Sequence, residues 1–322
     1  MLVSIVLSFK NEETNLVKLI PKIHHALDSS PYCSKYEIIA INDCSTDHSE
    51  GLLRELSDSY PLKVFNTSRC FGVTPCLLFG LEQANGDYIG YLDSDLQDPP
   101  EILQEMIESA VNESADIVNT VRSERRGENA IKMFVTSRVY ELISFLADIE
   151  LIKNSGDFKL ISRRALLEVI KNQDNDPYMR GLTSSVGFKN TYISYVRDSR
   201  FSGSKKFSLF KSLNPYREVL RAITLHSDIP LLIAAICSLI GITVAILSFI
   251  SFLIWRINGD VVPGITLPVL LNTLLFSNIF ISLLVINIYL ARVLVETRRK
   301  KRVIISSTFS SENKQQNRPY QQ

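Results

Sequence analysis

The sequence is short of most features that would narrow its function at once. Its 322 residues carry 35 Lys and Arg against 34 Asp and Glu, a net charge of +1, so no basic surplus points to nucleic acid. Only five cysteines are present: Cys33, Cys44, Cys70, Cys76 and Cys237. They are odd in number and none stands in a C-x-x-C pair. That argues against a disulfide framework and a zinc site, and it suits a reducing compartment. The N-terminus lacks the basic start of a signal peptide, because apolar Met1–Phe9 runs directly into Lys10-Asn11-Glu12-Glu13. Charge is also missing from two long stretches. Ile229–Trp255 and Ile265–Ala291 contain no Asp, Glu, Lys or Arg, and each exceeds the roughly 20 apolar residues needed to cross a bilayer.

Residues before 228 read as a soluble α/β domain. Strand patterns at Val3–Phe9, Tyr36–Ile41, Leu62–Phe65, Tyr88–Leu92 and Asp116–Val121 alternate with helical patterns at Thr14–Leu27, Asp47–Leu56, Thr74–Ala84 and Glu101–Val111. Such alternation predicts a mostly parallel sheet with helices on both faces. Polar residues recur where the strands end: Asn11 and Glu12, Asp43, Asp93 and Asp95, then Arg122. In a parallel sheet these positions share one edge, where open α/β sheets bind ligands. A helical pattern over Ser123–Lys153 follows, broken by Asn154-Ser155-Gly156-Asp157-Phe158, which reads as a turn.

The strongest chemical signal is Asp93-Ser94-Asp95-Leu96-Gln97-Asp98-Pro99-Pro100-Glu101. Two carboxylates one residue apart, at the end of a buried strand, can both reach a hard divalent cation. Mg²⁺ and Mn²⁺ favour such oxygen ligands and keep positions open for substrate phosphates.

Lys205–His226 is amphipathic, with Phe207, Phe210, Leu213, Val219, Leu220 and Ile223 set against Lys206, Lys211, Arg217 and Arg221, and with a breaking Pro215 midway. Beside an apolar run, such a segment is expected to lie in the membrane interface. The two runs are expected to form a two-helix hairpin, since the connector Arg256–Gly264 is too short for anything else. The cluster Arg298-Arg299-Lys300-Lys301-Arg302 resists translocation. Two spans then leave the 1–227 domain and both termini cytoplasmic. The polar tail Ser306–Gln322 is expected to be disordered.

These motifs together resemble the membrane-bound polyprenyl-phosphate glycosyltransferases of glycosyltransferase family 2, which include dolichyl-phosphate mannose synthases and bactoprenol glucosyltransferases. Asp93–Glu101 is similar to that family's D-x-D-L-Q-D-P-P-E. Asn11-Glu12-Glu13, Asn42-Asp43-Cys44-Ser45-Thr46-Asp47, Gly156-Asp157-Phe158-Lys159-Leu160, Arg200–Lys205 and Tyr289–Ile305 resemble its other motifs. Lys159 stands where Arg is usual, Cys70 where Asn is common, and Gly203-Ser204-Lys205 is one residue short.

The resemblance implies a Rossmann-like GT-A nucleotide-sugar-binding domain over residues 1–204, an amphipathic interface helix at 205–227, two transmembrane helices within 228–295 and a basic tail at 296–322. It implies inverting, metal-dependent transfer of one sugar from a UDP- or GDP-sugar to polyprenyl phosphate. Asp93, Asp95 and Gln97 would hold Mg²⁺ or Mn²⁺. Asp43 and the backbone near Glu12 would receive the base and ribose. Arg122, Arg138 and Arg200 would clamp the anionic lipid phosphate, Lys205 would join the binding residues, and Asp157 would act as base or acceptor-positioning acid. A processive synthase would need a Q-x-x-R-W segment, which is absent. The alternative from another class is a catalytically inactive membrane scaffold partnering a lipid-sugar flippase; a homo-oligomer also stays open.

Overall fold

The computed structural model describes residues 1–125, 155–173, 179–197, 229–257, 266–297 and 303–311. Its centre is β1 (Leu2–Phe9), a run of apolar and β-branched residues buried on both faces, as a central parallel strand must be. β1 pairs in parallel with β2 (Lys35–Asn42) on one side and β4 (Tyr88–Tyr91) on the other, and β2 pairs in parallel with β3 (Leu62–Thr67).

Successive β1 side chains point to opposite faces and so define two cores. Ile5 and Leu7 pack with Leu16, Leu19 and Ile23 of α1 (Glu13–Asp28) and with Leu103 and Met106 of α4 (Ile102–Asn112). Val6 packs with Cys76, Leu77 and Leu81 of α3 (Val73–Gln83) and with Leu166 and Val169 of α5 (Arg163–Lys171). The short α2 (Ser49–Leu56) joins β2 to β3 and buries Leu53 in the first core. Helices therefore cover both faces, as the alternation predicts.

The far half of the sheet differs from the expectation. The eight strands run β7-β5-β6-β4-β1-β2-β3-β8, and β6 (Ser155–Ser162) lies antiparallel between β4 and β5 (Ile117–Arg125). Gly156-Asp157-Phe158 is thus the start of an inner strand and not a turn. Its residues supply both faces: Phe158 and Leu160 enter one core and Ile161 the other. Ser123–Arg125, expected to open a helix, extend β5 instead, where β5 pairs in parallel with β7 (Asn190–Arg197). The short α6 (Met179–Ser185) precedes β7.

α7 (Ile229–Ile257) and α8 (Thr266–Thr297) pack on one another. Asn278 Nδ2 donates to the Cys237 carbonyl at 2.8 Å, and the Ser238 and Ser282 hydroxyls meet at 2.8 Å. Their outer residues, among them Leu232, Leu239 and Phe280, are exposed and apolar. Among the described residues, one helix is long and apolar enough to cross a membrane by the 18-residue window Leu274–Ala291; in α7 the qualifying apolar stretch, Leu231–Val244, is shorter. The amphipathic segment 205–227 and the cluster 298–302 lie outside the described residues.

The chain then returns to the sheet. β8 (Ile305–Ser310) pairs antiparallel with β3, from Lys63↔Ser310 to Thr67↔Ile305. The expectation of disorder from Ser306 onward fails here because Ser, Thr and Phe suit a half-buried edge strand. Asn66 Nδ2 donates to Ser307 Oγ at 2.9 Å, Thr308 Oγ1 donates to the Val64 carbonyl at 3.0 Å, and the Arg54 guanidinium lies over the Phe309 ring.

Candidate active site

The carboxyl ends of β1, β2 and β3 build the first half of the site. Asn11, held at φ 55°, joins two loops: its backbone N–H donates to Ser45 Oγ at 3.0 Å, and its side-chain oxygen accepts from Thr46 N at 2.8 Å. Glu12 is buried at the start of α1, where its carboxylate accepts from Asn15 Nδ2 at 2.6 Å and its N–H donates to Ser49 Oγ at 3.2 Å. Asp43 is also buried. Its N–H donates to the Phe9 carbonyl, and its two carboxylate oxygens accept from Phe71 N at 2.6 Å and Gly72 N at 3.0 Å. Gly72 adopts φ 96°, which glycine reaches without a Cβ penalty. Asp43 thereby fixes the loop after β3 beside the loop after β2.

The acidic half is set by β4 and β6. The register pairs Tyr88 with Ser162 and Tyr91 with Lys159; continued two residues, it sets Asp157 opposite Asp93. Gln97 N donates to Asp95 Oδ1 at 3.2 Å, closing a tight turn with Leu96 at φ 58°. Loss of solvent, then the charges of Asp157, Asp98 and Asp95, push Asp93 up to about 7 against a smaller opposing effect of Arg197. Lys159 is buried and donates to Thr183 Oγ1 at 2.6 Å, so its ammonium is spent inside the domain.

Asp98 is a hub that sequence reasoning missed. It is fully buried, accepts from the Tyr195 hydroxyl and from Arg197 Nε at 3.1 Å, and lies 3.6 Å from Arg122 Nη2. Arg122 Nε also donates to Tyr195 Oη at 3.2 Å. Burial, then the Asp98 charge, pushes the Tyr195 hydroxyl up to about 12, so it stays a donor. The signal was available: Tyr195 falls on the inward face of β7, and a buried tyrosine hydroxyl needs a polar partner. Gly156 leaves room for this hub, since a Cβ there would lie 3.0 Å from Thr120 Oγ1, 3.3 Å from Tyr195 Oη and 3.4 Å from Arg122 Nη2.

The structure thus brings Asp93, Asp95, Gln97, Asp157 and Arg122 together, with Asp43 and Glu12 further along the same sheet edge. Arg138, Arg200 and Lys205 lie outside the described residues. Among the described residues no three of His, Cys, Asp and Glu form a ready-made metal shell. The donor set still suits a hard divalent cation: crowded carboxylates, one with its proton held by its neighbours' charge, gain from a cation that phosphate oxygens would share.

The sequence profile described as glycosyl transferase family 2 matches residues 4–170. The chain is 33% identical over 314 residues to the uncharacterized glycosyltransferase YkcC of Bacillus subtilis (strain 168), covering 97% of this chain and 95% of that protein. It is 32% identical over 311 residues to the prophage bactoprenol glucosyl transferase homolog of Escherichia coli (strain K12), covering 95% and 98%. It is 31% identical over 313 residues to the bactoprenol glucosyl transferase of Shigella phage SfV, covering 95% and 99%. Among solved structures, the mannosyltransferase PcManGT of Pyrobaculum calidifontis, in complex with GDP-Man and Mn²⁺, superposes with a TM-score of 0.50 at 13% identity, covering 68% of this chain and 62% of that one. That likeness is one of fold, a GT-A-like α/β arrangement. With the profile over more than half of the chain and relatives matched along nearly all of it, the chain belongs to glycosyltransferase family 2 and is a glycosyltransferase.

Proposed function

We propose that this glycosyltransferase moves a single sugar from a UDP- or GDP-sugar to polyprenyl phosphate, with inversion, at the cytoplasmic face of a membrane. The observation that carries the reading is the convergence of Asp93, Asp95 and Asp157 at one end of a sheet that is followed in the chain by two long apolar helices. The bactoprenol named for the Escherichia coli and Shigella phage relatives supports a polyprenyl acceptor.

Asp93, Asp95 and Gln97 would hold Mg²⁺ or Mn²⁺, which supplies Lewis-acid neutralisation of charge on the departing nucleoside diphosphate. Asp43 and the Glu12 backbone line the end of the edge suited to base and ribose. A lipid-phosphate oxygen attacks the anomeric carbon as its bond to the diphosphate oxygen breaks. That nucleophile is already mostly ionised near neutral pH, so Asp157 serves to position it. Arg122 and Arg197 balance Asp98 and keep the acidic turn in place. Arg138, Arg200 and Lys205 are proposed, on sequence, to meet the acceptor phosphate.

The return of the chain as β8 supports two spans. A chain that leaves the domain after β7 and rejoins its sheet at Ile305 crosses a bilayer an even number of times.

The test incubates membranes carrying the protein with polyprenyl phosphate and a panel of labelled UDP- and GDP-sugars. A labelled lipid that forms only with divalent cation, and is lost in Asp95→Asn, is the expected result. No labelled lipid from any donor, together with no metal-dependent nucleotide binding, would overturn the reading in favour of a scaffold.

A further inference from the structure

Three of the five cysteines gather at the nucleotide end of the sheet, and the reaction proposed above uses none of them. Cys44 follows Asp43 at the end of β2, and Cys70 lies in the loop after β3. Cys76 is buried in the first turn of α3. The Cys70 thiol is exposed, and Lys10 Nζ donates to its sulfur at 3.1 Å. The half-exposed Cys44 follows Asp43, whose carboxylate accepts from Phe71 N at 2.6 Å and Gly72 N at 3.0 Å, so the Cys44 loop lies against the loop that carries Cys70. Lys10, Cys44 and Cys70 come from the loops after β1, β2 and β3, three neighbouring parallel strands. The fold therefore assembles a cluster from residues far apart in the chain.

The two thiols are unequal. The hydrogen bond from Lys10, then that from Cys44, holds the Cys70 thiol below the ordinary thiol range, against burial and the charge of Asp43. Cys44 is pushed up, first by its bond to Cys70. A thiolate is the nucleophile, and a cation beside an accessible sulfur is the setting in which cysteines react. One sulfur is thus primed to attack while its neighbour keeps a proton to give up later. Cys33, near the start of β2, is pushed up by burial and serves as an internal comparator.

We infer that Cys70 and Cys44 form a peroxide-reactive thiol pair that closes a disulfide across the nucleotide edge of the domain. The Cys70 thiolate attacks one oxygen of hydrogen peroxide; the O–O bond breaks, the sulfur is oxidised to a sulfenic acid and the other oxygen leaves as hydroxide. Cys44 sulfur then attacks the sulfenic sulfur. The S–S bond forms, the S–O bond breaks, and the departing hydroxide takes the Cys44 proton as water. Two thiols and one peroxide give one disulfide and two waters. Asp43 accepts from the amides of Phe71 and Gly72 in the Cys70 loop, so the new bond clamps both sides of Asp43. The consequence for transfer rests on the donor site proposed above; the thiol chemistry does not.

The test treats the full-length protein in detergent with hydrogen peroxide and maps non-reduced peptides. The expected product joins the Cys44 and Cys70 peptides and is reversed by dithiothreitol. Cys44→Ser instead accumulates a Cys70 sulfenic acid trapped by dimedone. With iodoacetamide, Cys70 labels faster than Cys33 at neutral pH, and Lys10→Met slows that labelling several-fold. A Cys70 no faster than Cys33, or no joined peptide in the wild type, overturns the inference. In the transfer assay, peroxide should abolish wild-type activity and dithiothreitol restore it, while Cys70→Ser keeps whatever activity it has before treatment. If the disulfide forms but the reduced protein transfers no sugar, the functional reading fails and the thiol pair stands. If transfer proceeds and no disulfide forms, the thiol pair alone fails.

Discussion

Asp93 gives the most direct test of whether the acidic turn awaits a cation. Its carboxyl is raised from an ordinary 3.8 to about 7 by lost solvent and by Asp157, Asp98 and Asp95. Between those values the native chain binds a proton that the unfolded chain releases, so stability is highest at the acid end and falls as pH rises. The full penalty above about pH 7 is of order 4 kcal/mol. About 1.4 kcal/mol of it falls between about pH 6 and about pH 8, because the slope flattens once Asp93 is ionised. For a domain of this size that is a midpoint shift of about 3–5 °C. The assay is thermal unfolding of the full chain in detergent with EDTA at both pH values, for wild type and Asp93→Asn. Wild type should unfold at lower temperature at about pH 8, and the variant should lose most of that difference. Mn²⁺ should recover the wild-type midpoint at the higher pH and do much less for the variant. A wild-type midpoint that is flat with pH in EDTA, or a variant less stable than wild type at about pH 8, would refute the electrostatic reasoning.

Asp98→Ala strands Arg122 and Arg197 beside an empty site, so it should destabilise the domain by about 3–5 kcal/mol, seen as a lowered unfolding midpoint. Gly156→Ala drives a methyl group to 3.0 Å from Thr120 Oγ1 and 3.3 Å from Tyr195 Oη; a cost of about 1–3 kcal/mol and a marked loss of transfer activity are expected. A reporter fused after Gln322 should be active only in the cytoplasm; activity only outside would contradict the two-span topology.

The near half of the fold was legible because parallel strands buried on both faces are uninterrupted apolar runs. β1 through β4 and α1 through α4 start and stop within about two residues of their patterns. The acidic turn was legible for the same reason, since it ends such a run. β6 was not. Its opening Ser155-Gly156-Asp157 reads as a turn until β4 and β5 are there to flank it, and antiparallel insertion is a tertiary event with no local signature. Without β6 the sequence could not show that Asp157 faces Asp93. Asp98 was visible as a letter in a motif, but its burial under Tyr195 and Arg197 depends on β7, about a hundred residues later. Ser306–Ser310 looked like polar tail because a partnered edge strand needs little apolar content when its backbone bonds do the holding.

That last strand has a consequence for how the protein is made. β3 has one inner neighbour, β2, and its other edge is covered by residues 305–310, which leave the ribosome after both long apolar helices. During synthesis the edge of β3 stays bare, and bare edges invite pairing with other chains. If the helices are delivered to a membrane as they emerge, the nascent domain is held there, apart from its copies, until the strand that seals it arrives. The sheet can then be completed only on a chain whose apolar hairpin has already been made, so finishing the enzyme and seating it at the bilayer become one event.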